Sequence, residues 1–161
     1  MEFLWSPWRY QYIEASHKEE GCVFCRLAGD RGPEADEANY VLHRGRDNFV
    51  FLNLYPYTSG HVLIAPYAHL ALLGEAGKQV TDEMMDLTKQ TQQSLGIEYR
   101  PQGYNIGMNL GSAAGAGVAG HFHLHLLPRW VGDSNFMTTV GETRVLPEDL
   151  STTYRKLRKH F

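Results

Sequence analysis

Three histidines alternate with apolar residues at positions 121–125, in the order His121, Phe122, His123, Leu124 and His125. On a β-strand, alternate side chains point to the same face, so we expect the three imidazoles to lie in a row about 7 Å apart. Such a row is costly inside an ordinary apolar core, because each buried imidazole needs a hydrogen-bond partner. A neutral imidazole can act as a nucleophile near pH 7, and its attack on phosphorus divides a difficult displacement into two easier steps. The pattern therefore predicts an enzyme in which one histidine attacks phosphorus while its neighbours orient the substrate and donate protons.

A glycine-rich segment directly precedes these histidines. Residues 109–120 contain Gly111, Gly115, Gly117 and Gly120. Glycines let backbone N–H groups approach phosphate oxygens closely. A glycine-rich loop is weak evidence by itself, but its position next to a potential nucleophile favours a phosphate-binding loop.

The chain contains two cysteines, Cys22 and Cys25. Their Cys-x-x-Cys spacing fits a metal site or a redox pair better than a structural disulfide. Two histidines from elsewhere in the chain would complete a tetrahedral zinc site with two thiolate and two imidazole ligands. A pair of reduced, partly buried thiols is the alternative.

The elements that must position these residues follow from the hydropathy pattern. Five short segments rich in β-branched and aromatic residues are predicted to be strands, at residues 40–43, 49–54, 61–65, 104–109 and 122–127. The first three are joined by connections too short for crossover helices, which favours an antiparallel sheet. A long helix is predicted between the third and fourth strands, with Thr81 as its N-cap and Gly96 at its end. Its apolar face is formed by residues at helical spacing, namely Met84, Leu87, Thr91 and Leu95.

Together these elements predict an α+β domain with a five-stranded antiparallel sheet. A C-terminal helix is predicted to begin near Pro147, with Glu148 and Asp149 in its first turn. We interpret the basic residues near its end as a solvated helix terminus rather than a nucleic-acid site; they are Arg155, Lys156, Arg158 and Lys159. Residues 29–39 are predicted to be a loop, and the aromatic residues 1–12 to pack on the domain or on a second subunit.

Composition and charge limit the possible functions. The 161 residues are 43% hydrophobic and 20% charged, which predicts one domain with one core. The formal charge of −3 argues against broad binding to nucleic acid or to a membrane surface. We find neither an apolar run of about 18 residues nor a basic stretch followed by an apolar one at the N-terminus, so we expect a cytoplasmic protein.

The segment His121-Phe-His-Leu-His-Leu-Leu127, continued by Pro128 and Arg129, resembles the defining motif of the histidine-triad (HIT) family of nucleotide hydrolases and transferases. The segment that runs from Asn53 through Gly60 and His61 to Pro66 is similar to the strand–turn–strand that brings another histidine to the family's active site. The resemblance implies a HIT-like fold in a single domain over residues 1–161. Its core would cover about residues 22–129 and a C-terminal extension residues 130–161.

The resemblance also implies roles for individual residues. His123 would be the nucleophile, forming a covalent nucleotidyl-histidine, while His125 and His61 would support the phosphate and the leaving group, and His121 would complete the catalytic set. Asn53 would contact the ribose. The residues implied to surround the nucleotide are Asn53, His61, Asn109, Gly115, Gly117, His121, His123 and His125.

A structural zinc ion is implied as well, and no organic cofactor. In zinc-containing members of the family the ligands match Cys22, Cys25, His69 and His121. Four protein ligands leave no open coordination position, so this zinc would not activate water. It would instead fix His121, and with it the strand that carries His123. The remaining histidines, which are His17, His43 and His160, are predicted to be surface residues.

Other segments look like the bacterial diadenosine-tetraphosphate phosphorylases of the family, which pass enzyme-bound AMP to inorganic phosphate. They are Leu4-Trp5-Ser-Pro-Trp8-Arg9, Asn109-Leu-Gly111, Pro128-Arg-Trp130 and residues 132–136. One departure concerns Gly117, which occupies the position where some family hydrolases have a phosphate-binding glutamine. The missing side chain either leaves room for a second phosphate or weakens binding of the α-phosphate.

Two classes of function remain open at this stage. The first is an enzyme acting on dinucleoside polyphosphates, with a hydrolase of such substrates or of nucleoside phosphoramidates as its variant. The second is a module that binds nucleotides without efficient turnover. His123 together with His61 and His125 favours the enzyme, because a pure binding protein needs no poised nucleophile. The expected partners are purine mono- and dinucleotides, inorganic phosphate, and a second copy of the chain in a homodimer, with tetramers left open.

Overall fold

The structure is a computed structural model that describes residues 21–134, 138, 140 and 148–161. The predictions made for residues 1–12, His17, residues 135–136 and Pro147 lie outside the described residues. No helix within the described part of the chain is long and apolar enough to cross a membrane.

The described residues form helices, strands and two 3-10 turns that alternate along the chain. In chain order they are α1 (Val23–Gly29), α2 (Pro33–Ala38), β1 (Val41–Arg44), β2 (Asn48–Leu52), β3 (Val62–Pro66), a 3-10 turn (Leu73–Glu75), α3 (Lys78–Tyr99), β4 (Gly103–Met108), a 3-10 turn (Ser112–Ala114), β5 (Leu124–Arg129) and α4 (Leu150–Arg158). The strands form one sheet in the order β1-β2-β3-β5-β4, and every neighbouring pair is antiparallel. The predicted α+β class, the five antiparallel strands and the long helix are confirmed.

Each face of the sheet is covered by helices. The strands alternate, so that Val50 and Leu52 of β2 pack toward α3 and α4, whereas Phe49 and Phe51 pack toward α1. The face toward α3 and α4 forms a core that includes Met84, Leu87, Leu95, Tyr154 and Leu157. The opposite face forms a smaller core with the residues of α1, which are Phe24, Leu27 and Ala28. The functional residues lie on this second, thinner side.

The bounds of the long helix differ from the prediction at both ends. Helix α3 begins at Lys78, and Thr81 is not its N-cap, because its hydroxyl donates to the carbonyl of Lys78 inside the first turn. Gly96 lies inside the helix, which continues to Tyr99 and is capped by Arg100 in the left-handed conformation (φ 44°). A glycine fits at position 96 because a Cβ there would lie 3.2 Å from the hydroxyl oxygen of Tyr104.

Residues 29–39 were predicted to be a loop, but they contain the helix α2. Pro33 stands at the start of this helix, where its missing N–H costs nothing, and Glu34 and Asp36 lie in the first turn, which favours negative charge.

Near the C-terminus, α4 begins at Leu150, and Asp149 is its N-cap, accepting a hydrogen bond from the backbone N–H of Thr152 at 2.7 Å.

Several residues predicted to be solvated make defined contacts. Lys159 forms an ion pair with Glu98 and Lys156 with Glu148, so the basic cluster is partly neutralised by acidic neighbours. His160 Nε2 lies 2.7 Å from the same Glu98 carboxylate, and the half-buried ring of His43 stacks on Phe161 with centroids 5.5 Å apart. The prediction that His43 and His160 are surface residues is therefore wrong, because both help to hold the C-terminal residues against the domain.

A partly buried carboxylate fixes the connection between β1 and β2. Glu83 of α3 accepts hydrogen bonds from the backbone N–H groups of Arg46, Asp47 and Asn48, and from the side-chain amide of Asn48, at 2.7–2.9 Å. Burial by itself raises the pKa of Glu83, but these hydrogen bonds favour the charged form and hold its pKa below the ordinary value. This carboxylate therefore ties the helix to the sheet.

Replacing Glu83 by glutamine should lower the free energy of unfolding by about 1–3 kcal/mol, because one carboxylate oxygen becomes an NH2 group that faces backbone N–H donors. Urea unfolding followed by circular dichroism measures the change. Asp86→Asn, on the same helix, is the control, since Asp86 is exposed and contacts only Lys89. An equal effect of the two substitutions would contradict the role of Glu83 in linking α3 to the sheet.

Candidate active site

The three alternating histidines lie where β5 begins. The strand starts at Leu124, so His121 and His123 directly precede it, and His125 is its second residue. Phe122 and Leu124 are buried in the core on the α3 side, and His123 faces Phe24 of α1 with ring centroids 4.7 Å apart. The predicted alternation is thus observed, but the even spacing of about 7 Å is not. The rings of His123 and His125 are 4.8 Å apart, whereas His121 turns toward the cysteines.

His123 is almost completely buried, and its tautomer follows from its one hydrogen bond. Nδ1 lies 3.1 Å from the backbone carbonyl oxygen of His121. Because a carbonyl oxygen only accepts, Nδ1 carries the hydrogen in the neutral ring and Nε2 keeps its lone pair. Burial lowers the pKa of His123, and the hydrogen bond to His121 opposes the effect without cancelling it. The structure therefore presents a neutral imidazole with a nucleophilic nitrogen.

His125 has the opposite tautomer, set by a chain of three residues. The backbone N–H of Tyr57 donates to Nδ1 of His61 at 3.1 Å, so the neutral ring of His61 carries its hydrogen on Nε2. This Nε2 lies 2.9 Å from Nδ1 of His125 and donates to it. The remaining hydrogen of His125 is then on Nε2, which is buried and has no partner among the described residues. A donor without a described partner is thus carried by the ring next to His123, with the two ring centroids 4.8 Å apart.

Burial also controls the protonation of His125. Burial, and to a smaller extent the neighbouring His123, lower the pKa of His125 to about 4. Near neutral pH both rings are therefore uncharged. Their different roles follow from the backbone groups that they contact, and not from a difference in charge.

A cavity of about 310 Å³ opens in front of His123 and His125. It extends across the sheet from His125 past Leu63 and Phe51 to Asn39, which lies just before β1. The sheet residues follow a row of pairs that runs from His125 through Leu63 and Phe51 to Val41. This row spans three strand spacings, or about 14 Å. The lining is mostly apolar near α1, where Val23, Phe24 and Leu27 contribute. A slot of this kind suits an aromatic base with its polar tail toward the histidines.

Six of the eight residues predicted around a nucleotide line this cavity. They are Asn53, Asn109, Gly115, Gly117, His123 and His125. The other two, His61 and His121, do not. His61 is 1% exposed and lies behind His125, where it orients that ring. Both ring nitrogens of His121 are already engaged, so neither it nor His61 is placed to touch a ligand in the cavity.

Asn53 lines the cavity and also makes hydrogen bonds beside it. Its Oδ1 accepts from the backbone N–H of Tyr55 at 2.9 Å, and its Nδ2 lies 3.3 Å from Nδ1 of His61. Asn53 therefore contributes to the orientation of His61 as well as to the cavity wall.

The glycine-rich segment forms the end of the cavity nearest to His123. Gly111 and Gly115 have positive φ values (82° and 84°), which favour glycine, and they enclose the 3-10 turn Ser112–Ala114. Gly117 and Val118 line the cavity, and their backbone N–H groups have no acceptor among the described residues. These groups are available to bind an anion.

The two cysteines and two histidines come together beside the cavity. The ligand atoms of Cys22, Cys25, His69 and His121 all lie within 4.8 Å of one another. Cys22 Sγ is 3.4 Å from His121 Nδ1, and Cys25 Sγ is 3.2 Å from His69 Nδ1 and 3.6 Å from His121 Nδ1. Zinc–ligand bonds of 2.0–2.3 Å in a tetrahedron give ligand–ligand distances of about 3.5 Å. The four residues therefore fit a zinc ion in both chemistry and spacing.

The contact on the far side of the His121 ring supports the same interpretation. Its Nε2 lies 2.9 Å from the backbone carbonyl of Pro66 and donates to it, which leaves Nδ1 unprotonated and directed toward the thiols. A carbonyl that accepts from the distal nitrogen of a histidine is the usual support for a metal ligand.

Some residues of the site were not found from the sequence. Tyr57 orients His61 through its backbone and contacts the rings of His61 and His125 at 4.8 and 6.2 Å. Ser112 lines the phosphate end of the cavity, and Phe24 covers His123. The role of Tyr57 depends on a main-chain atom in a turn, so no side-chain pattern reveals it.

Comparison with known proteins gives a consistent result. The family model for the HIT domain matches residues 35–131. The chain is 36% identical over 161 residues to an AP-4-A phosphorylase of Mycobacterium tuberculosis, covering 98% of this chain and 83% of the relative. It is 26% identical over 138 residues to adenosine 5'-monophosphoramidase of Schizosaccharomyces pombe, covering 81% and 96% of the two chains.

A solved structure shares the whole architecture. A zinc-bound histidine triad family protein from Mycobacterium smegmatis superposes with a TM-score of 0.69 at 26% identity, covering 90% of this chain and 94% of that one. The matched family model includes β1 to β5, the glycine-rich segment and the alternating histidines. The chain therefore belongs to the histidine-triad (HIT) family.

Proposed function

We propose that this protein is a nucleotidyltransferase that cleaves dinucleoside polyphosphates and passes the bound nucleotide to inorganic phosphate. The observation that carries the proposal is that His123 and His125, at the end of the cavity, have opposite tautomers. His123 offers a lone pair at Nε2, and His125 offers a hydrogen at its own Nε2. A nucleotide-binding module would need neither. The similarity to an AP-4-A phosphorylase over 98% of the chain supports the substrate class.

In the first step, Nε2 of His123 attacks the α-phosphorus of the substrate. A P–N bond forms, and the bond from that phosphorus to the bridging oxygen breaks, releasing the remaining nucleoside polyphosphate. The ring of His123 gains positive character, which strengthens the hydrogen bond from Nδ1 to the carbonyl of His121. The N–H of His125 stabilises the departing oxygen, and the free N–H groups of Gly117 and Val118 are placed for the oxygens of the reacting phosphate.

In the second step, an oxygen of inorganic phosphate attacks the same phosphorus, and the P–N bond breaks. The product is a nucleoside diphosphate, and His123 recovers its lone pair. From diadenosine tetraphosphate the two steps give ATP and then ADP. Gly117 lines the cavity and carries no side chain, which favours a site with room for a second phosphate as the acceptor. Water in place of phosphate would give AMP, the outcome expected of a hydrolase.

Zinc enters the proposal as a structural ion held by Cys22, Cys25, His69 and His121. When bound, it would supply a cross-link among α1, the segment after β3 and the segment before β5. The residues of the chain that transmit this support are known from their contacts. The ring of His121 is held by its hydrogen bond to the carbonyl of Pro66. The backbone carbonyl of His121 in turn accepts a hydrogen bond from Nδ1 of His123.

A homodimer is also part of the proposal. Strand β4 is an edge of the sheet, and its outer residues include Ile106, which is 47% exposed. An edge strand with an exposed apolar side chain is usually paired or covered. A second copy of the chain, with the two sheets joined, would satisfy this edge.

Incubation of the purified protein with diadenosine tetraphosphate should give ADP and ATP only when inorganic phosphate is present, as separated by anion-exchange chromatography. AMP and ATP at a rate independent of phosphate would make the protein a hydrolase.

His123→Ala should reduce turnover by several orders of magnitude, because the covalent route is removed.

The matched control for His123→Ala is His160→Gln, which changes a histidine near the C-terminus that contacts Glu98. It should retain turnover. Native-like turnover by a folded His123→Ala protein would rule out the covalent mechanism altogether.

The neutral His125 predicts a distinctive pH dependence. Since its folded-state pKa is about 4 and its unfolded value is near 6.5, the unfolded chain binds a proton in this window that the folded chain does not. Stability should therefore fall as the pH drops from about 6.5 to 4. In the free protein, nuclear magnetic resonance of the imidazole nitrogens should show His125 neutral at pH 5.5 with its hydrogen on Nε2. Titration near 6.5 would contradict the proposed tautomer chain.

Replacing Cys25 by serine should abolish stoichiometric zinc, measured by plasma mass spectrometry of the purified protein, and should lower the melting temperature. A chelator should have the same effect on the wild-type protein but none on Cys25→Ser. Serine is nearly isosteric, so the loss of the metal rather than of packing is tested. Unchanged zinc content in Cys25→Ser would exclude this residue as a ligand.

A further inference from the structure

The end of the cavity farthest from the histidines has a polar character that the slot along the sheet lacks. Asn39 lies just before β1, at the opposite end of the sheet row from His125, and it lines the cavity together with Arg26 of α1. Arg26 is the one charged side chain among the described residues that line the cavity. If a nucleotide lies with its phosphate at His123, as the proposed function requires, its base reaches this end.

The side-chain amide of Asn39 cannot rotate without losing two hydrogen bonds. Its Nδ2 donates to the carboxylate of Asp30 and to the backbone carbonyl of Ala35, each at 2.9 Å. Both partners only accept, so the positions of nitrogen and oxygen in this amide are determined. Both amide hydrogens are used, and no described residue donates to Oδ1. Asn39 therefore offers a fixed acceptor at the base end of the cavity.

Arg26 offers only donors. It lies one helical turn before Asp30, whose backbone N–H donates to the carbonyl of Arg26, and Asp30 in turn contacts Asn39. The guanidinium has no ion-pair partner among the described residues, and its side chain is exposed at the rim of the cavity. A fixed acceptor and a movable donor thus both line the cavity, and both belong to residues that contact Asp30.

This arrangement matches the edges of adenine. Adenine places its N6 amino group, a donor, next to a ring nitrogen that accepts, whereas guanine and hypoxanthine place a carbonyl oxygen at position 6. A carbonyl oxygen facing the fixed Oδ1 of Asn39 would bring two acceptors together without a hydrogen. We propose that Asn39 and Arg26 select adenine, Asn39 by accepting from the N6 amino group and Arg26 by donating to a ring nitrogen. This specificity rests on the proposed function, because it assumes a nucleotide in the cavity.

The test is a calorimetric titration of the full-length protein with AMP and, separately, with IMP, which carries oxygen in place of the N6 amino group. AMP should bind about tenfold more tightly than IMP to the wild-type protein. Equal affinities would overturn the proposed base selection and leave the nucleotide pocket intact. If neither nucleotide bound, the pocket itself, and with it the proposed function, would be wrong.

Variants separate the two contributions. Asn39→Ala should bring the ratio of the two affinities close to one, and Arg26→Ala should weaken both nucleotides while leaving AMP favoured. The control for the first is Asp30→Ala, which removes one hydrogen bond to Asn39 but keeps its acceptor, and should preserve the ratio. The control for the second is Arg155→Ala, an exposed arginine of α4 that contacts its own helix.

A retained preference for AMP in folded Asn39→Ala would overturn the role of Asn39. Because Asn39 also ends α2, this variant is first checked by circular dichroism. If it does not fold, the ratio in the wild-type protein and the effect of Arg26→Ala still decide the proposal.

Discussion

The candidate site depends on the three contacts made by His121. Its ring joins the cysteines of α1 to the carbonyl of Pro66 at the end of β3, and its own carbonyl accepts from His123. The residue thereby connects the helix that covers the cavity, the central strand, and the nucleophile. Because a 0% exposed imidazole with both nitrogens engaged has little freedom, the direction of the His123 ring is determined before any ligand arrives. This is preorganisation by a residue that does not touch the cavity.

Two chemically identical side chains receive different tasks from the main chain around them. A carbonyl can only accept and a backbone N–H can only donate, so the carbonyl of His121 and the N–H of Tyr57 impose opposite tautomers on His123 and His125. The N–H of Tyr57 acts on His125 indirectly, through the ring of His61 that lies between them. The low pKa of His125 keeps the arrangement intact near neutral pH, since a proton added to either ring would remove the distinction.

The sequence predicted the sheet well because the strands are short, strongly apolar and separated by clear turns. It predicted the ends of α3 poorly, because Thr81 has the chemistry of a cap but lies inside the first turn. Gly96 does not end the helix either, and a Cβ at this position would lie close to the hydroxyl of Tyr104. Likewise, the cysteines and His69 come together only through long-range packing, so spacing alone left the alternatives open. The sequence could not show that His61 and His121 lie outside the cavity lining, because their ring contacts with His125 and Pro66 come from long-range packing. The sequence shows that a histidine could take part in catalysis, but only the packing around it shows which atoms its ring contacts.

The charge distribution of the cavity bears on turnover as well as on binding. No carboxylate is among the described residues that line it, and the one cation, Arg26, lies at the base end rather than beside His123. In the proposed mechanism, the groups nearest to the reacting phosphorus would be neutral donors, namely the N–H of His125 and those of the glycine-rich segment. Neutral donors bind a phosphate oxygen less strongly than an ion pair would, but their hydrogen bonds strengthen as negative charge grows on that oxygen. An arginine at the same place would also bind the phosphates of substrate and product, and only the part of its interaction that is stronger in the transition state would raise kcat. Placing the cation at the far end allows the base to be held firmly while the reacting phosphate is held by groups that respond to the change in charge.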